Sequence, residues 1–341
     1  MSVFTDACRR KETEYTPIWF MRQAGRYLPS YRRLKGTRNV LDIAKDPELA
    51  SEAVVGAVRE LGVDAGIIFA DIMLPLVGMG VKFRIEENVG PVVSSPIRSL
   101  EDVSELRTFD SERDANEVYD GIEESVSKLD GIPLIGFSGA PFTLAGYLVE
   151  GVPDRELQKT KAMMYGDPDS WKSLMKKLTS MVKTYLAGQI EHGVDAVQLF
   201  DSWVGSLSAA DYTRYVFPYT REVVESVGGR VPTIHFCANS GSLIEKFRST
   251  NAEVLSVDWR MDIGEVWRRC EDRVAVQGNL DPVVAAVGGE AMKRGTVEIL
   301  RQAQNHKGHI FNLGHGVLKE TAPENLRRIV KIVHDTTRLR S

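Results

Sequence analysis

The chain has 341 residues, 43% hydrophobic and 26% charged, with a formal net charge of -4, which supports a packed core and excludes a disordered or low-complexity polypeptide. An isoelectric point near 6.0 gives no basic footprint for nucleic acid, and no apolar run is long enough to span a membrane. Three scattered cysteines, Cys8, Cys237 and Cys270, make no disulfide framework and fit a reducing compartment. The polar N-terminal stretch lacks a signal-peptide core, so a soluble, cytoplasmic protein is expected.

In chain order, short runs of β-branched and aromatic residues alternate with helical segments. The apolar runs are 17–20, 65–69, 133–137, 196–200, 232–236, 254–257, 274–277 and 309–313. They are nearly continuous rather than alternating, as parallel strands covered on both faces should be. Helix starts are marked between them. Asp46-Pro47-Glu48 and Asp167-Pro168-Asp169 each offer an N-cap, a proline at the first helical position and an early acid. Ser208 to Asp211 and Thr321 to Glu324 have capping-box spacing, and Asp281-Pro282 reads as a further helix start. Ala50, Val54, Val58 and Leu61 form an apolar stripe along the helix that begins near Pro47.

Eight strand–helix units in sequence predict an α/β fold of (β/α)₈, TIM-type barrel architecture. A doubly wound open sheet is the alternative, but no glycine-rich phosphate fingerprint follows the first run. After the second run, 81–85 and 91–93 flank Glu86-Glu87-Asn88-Val89-Gly90 and predict a β-hairpin insertion. No repeat, low-complexity tract or flexible linker divides the chain, so residues 1–341 are expected to form a single domain.

Active sites of such barrels lie at the carboxyl ends of the strands, so the residues after each run are the candidates. After the first come Arg22 and Arg26, in a window from Tyr15 to Leu41 that has no Asp or Glu but holds Arg22, Arg26, Arg32, Arg33, Lys35 and Arg38. In an acidic chain such a window favours an anionic ligand with several charges, and the planar arginine fork suits carboxylate or phosphate. A solvated basic surface is the alternative. After the second run, Asp71 stands alone among Ile67 to Ala70 and Ile72 to Leu76, where an unpaired charge is costly; it serves a ligand, caps a helix or pairs with an interior arginine. Ser138-Gly139-Ala140-Pro141 leads on to Tyr147. Asp201 and Ser202, Cys237 and Asn239, Asp258 and Trp259, Asn279 and Asp281 follow the later runs, and His315 stands between two glycines after the last. Asp258 also suits plain barrel packing. No Walker sequence or nucleophile elbow is present. His235-Phe236-Cys237 supplies two ligands where zinc needs at least three from protein, so no metal site is expected.

Two long motifs carry a family resemblance. Pro17-Ile18-Trp19-Phe20-Met21-Arg22-Gln23-Ala24-Gly25-Arg26-Tyr27-Leu28-Pro29 and the stretch from Gly136 to Gly151, with Ser138-Gly139-Ala140-Pro141-Phe142-Thr143-Leu144-Ala145-Gly146-Tyr147 at its centre, resemble the two signatures of the uroporphyrinogen decarboxylase family. Asp71, Ser202 after Leu199-Phe200, and His315 in Phe311-Asn312-Leu313-Gly314-His315-Gly316 also match family positions. The resemblance runs from about Pro17 to the last helix. It implies a barrel, a cytosolic homodimer and a cofactor-independent carboxy-lyase of haem biosynthesis. That enzyme converts uroporphyrinogen III to coproporphyrinogen III by removing four acetate carboxyls as carbon dioxide. It further implies that Arg22, Gln23, Ala24, Gly25, Arg26, Asp71, Tyr147, Ser202 and His315 bind this polycarboxylate tetrapyrrole, with Asp71 stabilising the cationic transition state. An arginine, or a water held by one, is the candidate proton donor. The His235-x-Cys237 fragment is similar to one in zinc- and corrinoid-dependent methyltransferases on the same barrel, which makes methyl transfer the alternative; a non-catalytic tetrapyrrole carrier is a third reading.

Overall fold

Strand pairing follows chain order. The computed structural model describes residues 2–86, 89–239 and 241–338. Among them the strands are β1 (Gly66–Ile67), β2 (Phe83–Glu86), β3 (Gly90–Val93), β4 (Leu134–Gly139), β5 (Ala196–Asp201), β6 (Thr233–Cys237), β7 (Val254–Val257), β8 (Ala275–Leu280) and β9 (His309–Leu313). Seven of them form one parallel sheet in the order β1-β4-β5-β6-β7-β8-β9, with Ile135 opposite Ala196 and Val276 opposite His309. Every residue of β4, β6, β7, β8 and β9 is buried, which explains their continuous apolar sequence: helices cover one face and the sheet's own curl covers the other. The result is an α/β fold consistent with a TIM-like barrel.

The predicted strand 17–20 reduces to an isolated parallel bridge between Ile18 and Phe311. Pro17 has no N–H to donate, and the Ile18 N–H goes to the Asp64 carboxylate at 2.8 Å rather than to a neighbouring strand. Two backbone bonds still tie the segment to β9, from Phe311 N to Pro17 O (2.8 Å) and from Trp19 N to Phe311 O (3.3 Å). Its other neighbour is the approach to β1, where Asp64 N donates to Ile18 O at 2.8 Å.

A buried polar layer links this segment to the sheet. Trp19 Nε1 donates to Gln277 Oε1 (2.8 Å), and Gln277 Nε2 donates to Gln198 Oε1 and Ser256 Oγ (both 2.9 Å). Side chains from the first segment and from β5, β7 and β8 therefore meet inside the sheet's curl. Gln277 is paired at both of its amide atoms, and a buried amide held in this way favours one arrangement of strands, because a slip would orphan several polar groups at once.

The helices start where their sequence signals indicate, with one exception. Asp46 accepts from Leu49 N and caps Pro47–Leu61, whose Ala50, Val54, Val58 and Leu61 are all buried. Asp167 caps Pro168–Glu191, Ser208 caps the turn Ala209–Asp211, and Asp281 caps Pro282–Val287. The capping box expected at Thr321 does not form. Pro323 is the first helical residue, which moves the N-cap to Ala322, and no side chain caps that helix. β2 and β3 pair antiparallel from Phe83 opposite Val93 to Glu86 opposite Gly90; the expected turn residues Glu87 and Asn88 lie outside the described residues. No helix among the described residues is long and apolar enough to cross a membrane.

Candidate active site

The loop that leaves the first segment is fastened to the loop that leaves β9. Asn312 Oδ1 accepts from both Met21 N (3.2 Å) and Leu313 N (2.8 Å), and Val317 N donates to Met21 O at 2.9 Å. Arg22 sits in the left-handed region at φ 61°, a conformation that costs a non-glycine residue about 1–2 kcal/mol. Gly316 makes room for its stem: a Cβ there would lie 2.4 Å from Arg22 Cδ. Arg22 and Arg26 are exposed, whereas Gln23 is buried. The Gln23 side chain accepts from Phe20 N (3.3 Å) and donates to Ala65 O (3.1 Å), so it braces the loop instead of facing the cleft. No backbone carbonyl among the described residues receives the amides of Ala24 or Gly25, which leaves two adjacent N–H donors beside the arginines. Arg32 is a brace too, donating to Arg26 O and Tyr27 O at 3.0 Å.

Asp71 lies at the head of the turn after β1. Its Oδ1 accepts from Met73 N at 2.8 Å, and Oδ2 has no partner among the described residues. Met73 and Leu74, which follow it in the chain, are buried. Burial raises the carboxyl pKa above its ordinary value, against the opposing pull of the Met73 amide and the Arg22 charge. The site thus holds one carboxylate with an open oxygen, flanked in the chain by buried apolar residues, and an arginine near enough to act on it.

Of the three further candidates, Tyr147 and His315 lie near enough to feel the Arg22 charge. Tyr147 lies on the helix Pro141–Glu150, edge-on to Trp203 with ring centroids 5.7 Å apart. Burial raises its pKa; Trp203 opposes that, and the nearby Asp71 and Arg22 charges add smaller, opposite contributions. Ser202 directly follows β5 and precedes Trp203, whose amide donates to Thr143 Oγ1 at 3.3 Å; that hydroxyl in turn donates to buried Asp201 at 3.0 Å. His315 accepts from Gly316 N at its Nδ1 (2.8 Å). Burial first, and then the Arg22 charge, lowers its pKa to about 4. At neutral pH the imidazole is therefore uncharged, and with Nδ1 accepting, its proton sits on Nε2, which makes it a hydrogen-bond donor.

Similarity to known proteins points the same way. A sequence model of the uroporphyrinogen decarboxylase (URO-D) family matches residues 1–336. Uroporphyrinogen decarboxylase of Streptomyces coelicolor is 47% identical over 337 residues, covering 98% of this chain and 95% of that one. The Carboxydothermus hydrogenoformans enzyme of the same name is 44% identical over 338 residues, covering 98% and 97%.

The chain belongs to the uroporphyrinogen decarboxylase family.

Among solved structures, a methyltransferase from Methanosarcina mazei superposes with a TM-score of 0.81, covering 98% of this chain and 99% of that one at 17% identity. At that identity the likeness speaks to the fold alone. The fragment His235-x-Cys237 lies fully buried in β6. Its Cys237 Sγ is 3.5 Å from His235 Nε2, which is 3.6 Å from Asp201 Oδ2. Burial, with the Asp201 and Asp258 charges behind it, pushes the Cys237 thiol pKa well up. No group of three or more His, Cys, Asp or Glu among the described residues is placed to hold a metal ion.

Two residues that the sequence did not single out lie against candidates that it did. Trp203 packs on Tyr147, and Arg260 follows the expected Asp258-Trp259 pair. Arg260 ion-pairs with Asp258 at 2.7 Å. Its place on the loop that follows β7 was the available signal.

Proposed function

We propose that this cleft removes the four acetate carboxyls of uroporphyrinogen III as carbon dioxide, yielding coproporphyrinogen III. The carrying observation is Asp71: one carboxylate with an open Oδ2, flanked in the chain by buried apolar residues, beside a cationic rim. The substrate offers what this arrangement would meet, four inward pyrrole N–H donors and eight outward carboxylates. Asp71 accepts from the N–H groups. Arg22, Arg26 and the amides of Ala24 and Gly25 take carboxylates at the rim, while Gln23 holds the loop. Tyr147, Ser202 and the Nε2–H of His315 orient the remaining polar groups.

Each turnover begins with proton delivery to a pyrrole α-carbon beside the ring nitrogen, which makes the ring cationic. The bond between the acetate methylene and its carboxylate then breaks. Its electron pair enters the ring, neutralises the nitrogen cation and leaves an exocyclic methylene. A second proton converts that methylene to methyl, and loss of the α-proton restores the pyrrole. The net change replaces CO₂ by H⁺, with no redox equivalent consumed. Asp71 stabilises the cation in both charged stages through a fixed charge in a poorly solvated site, and the pyrrole itself serves as electron sink.

In the same reading, Pro17–Phe20 completes the sheet as an eighth stave, the β2–β3 hairpin is an insertion after the second stave, and the whole chain is one domain. The chain pairs as a cytoplasmic homodimer. The test compares untreated and chelator-treated protein in two assays, conversion of uroporphyrinogen III and methyl transfer from a methylated corrinoid to a thiol. Decarboxylation that survives the chelator supports the proposal. Zinc-dependent methyl transfer with no change in the porphyrinogen would replace it.

A further inference from the structure

We propose that Arg260, on the loop after β7, is a second anion subsite that grips one carboxylate of the substrate independently of the Arg22–Arg26 loop. The assignment rests on the decarboxylase reading and deepens it. A cavity of about 370 Å³ is lined by Gly205, Asn239, Ser242, Asp258, Arg260 and Met261, a size within the range of small-ligand pockets. Its walls come from the loops after β5, β6 and β7, at the same end of the sheet as Ser202 and His315.

The guanidinium there is held in one orientation. Buried Asp258 accepts from Arg260 Nη1 (2.7 Å), Arg260 N (3.0 Å) and Asn239 N (2.5 Å). The face of the guanidinium lies over the Trp259 ring, 4.2 Å from its centroid. Asn279 Nδ2 fixes both ends of the loop, donating to Asp258 O (2.9 Å) and Met261 O (2.8 Å). Gly205 lets the neighbouring wall close, since a Cβ there would stand 2.3 Å from Ala238 O. Arg260 Nε and Nη2 carry no partner among the described residues. That edge is the one through which arginine binds a carboxylate side-on by two parallel bonds. The side chain is half exposed, so a ligand can reach it, and its charge is felt at His315 together with that of Arg22. The alternative is that the Asp258–Arg260 pair only braces the loop.

Steady-state turnover of uroporphyrinogen III by Arg260→Ala, Arg260→Met and Arg260→Lys separates the two, with thermal melts alongside. Met keeps the stem packed on Trp259, so at least one folded variant without the charge is expected. A subsite predicts a rise in KM of about 10- to 100-fold for Ala and Met, kcat within about twofold, and early release of partly decarboxylated porphyrinogens. Lys should recover part of the loss. Unchanged KM in a folded Met variant, or a lowered melting temperature as the sole effect, would overturn the subsite while normal wild-type turnover left the decarboxylase reading standing. A wild-type protein inert toward uroporphyrinogen would instead remove that reading. In that event fluorescence titration with uroporphyrin decides the subsite: weaker binding by Arg260→Met supports it and equal binding refutes it.

Discussion

Replacing Asp71 by Asn keeps side-chain volume and removes one charge, and the hydrogen bonding here determines which function suffers. Asp71 Oδ1 already accepts from Met73 N. In the variant the amide oxygen will take that place, because the NH₂ group cannot accept. The NH₂ then occupies the position of the open Oδ2 and meets pyrrole N–H groups, donor against donor. Both affinity and turnover should fall, with turnover hit harder because the ring cation loses its counter-charge. Loss of one preorganised stabiliser costs about 10²–10³ in kcat, roughly 2.7–4 kcal/mol. Stability should move the opposite way. Burial raises the native pKa of Asp71, so between the unfolded and native pKa values the native state holds more protons, and the ionised group lowers stability as pH rises through that window. The Asn variant should therefore melt higher than wild type at neutral pH, with the difference vanishing in acid. The acid limb of wild-type kcat/KM, placed above the ordinary carboxylate range, should also disappear. Steady-state kinetics and thermal melts from about pH 4 to pH 8 supply these quantities. A folded Asn variant with wild-type kcat would refute the electrostatic role.

Arg22→Ala should lower kcat/KM by about one to two powers of ten, the worth of one charge-assisted pair at roughly 1.5–3 kcal/mol. Arg22→Gly should lose as much activity yet melt above the Ala variant, because glycine tolerates the φ of 61°; equal melting temperatures would mean that the loop relaxes without strain. His309 is buried, with Nε2 facing Gly278 O at 3.2 Å and its pKa lowered by burial to about 4. A lowered native pKa gives stability that is present above the unfolded value near 6.5 and lost as pH falls through the native one. Between those limits His309→Gln should flatten the pH dependence of urea unfolding by about 1.4 kcal/mol per pH unit. An unchanged slope would show that the ring is already protonated in the native state.

The strands of the sheet were legible because both of their faces are covered, which leaves a continuous apolar record from β4 to β9. Pro17–Phe20 forms a single bridge instead of a full ladder for a physical reason: the Ile18 N–H goes to the side chain of Asp64, which no apolar pattern encodes. Thr321 misled because Pro323 shifts the cap by one residue. Within the candidate site, Arg22, Arg26, Asp71 and His315 were visible as charge or glycine context at strand ends. Gln23 sits in the same motif, yet it turns inward to Ala65 O, a contact distant in sequence. The layer formed by Trp19, Gln198, Ser256 and Gln277 was unreadable for the same reason, since each partner sits on a different strand. Arg260 gave no signal beyond its place after a strand, because its orientation depends on Asp258, Trp259 and a loop that Asn279 fixes.

Anaerobic incubation of the wild-type protein with uroporphyrinogen III is the most direct test of the central claim, with released carbon dioxide counted and the oxidised porphyrins separated by carboxyl number. An Asp71-centred cleft with a cationic rim predicts about four equivalents of carbon dioxide per macrocycle, one for each acetate, and a tetracarboxylate product with its propionates intact. Recovery of the octacarboxylate unchanged, bound but unreacted, would contradict the assignment and leave a tetrapyrrole carrier.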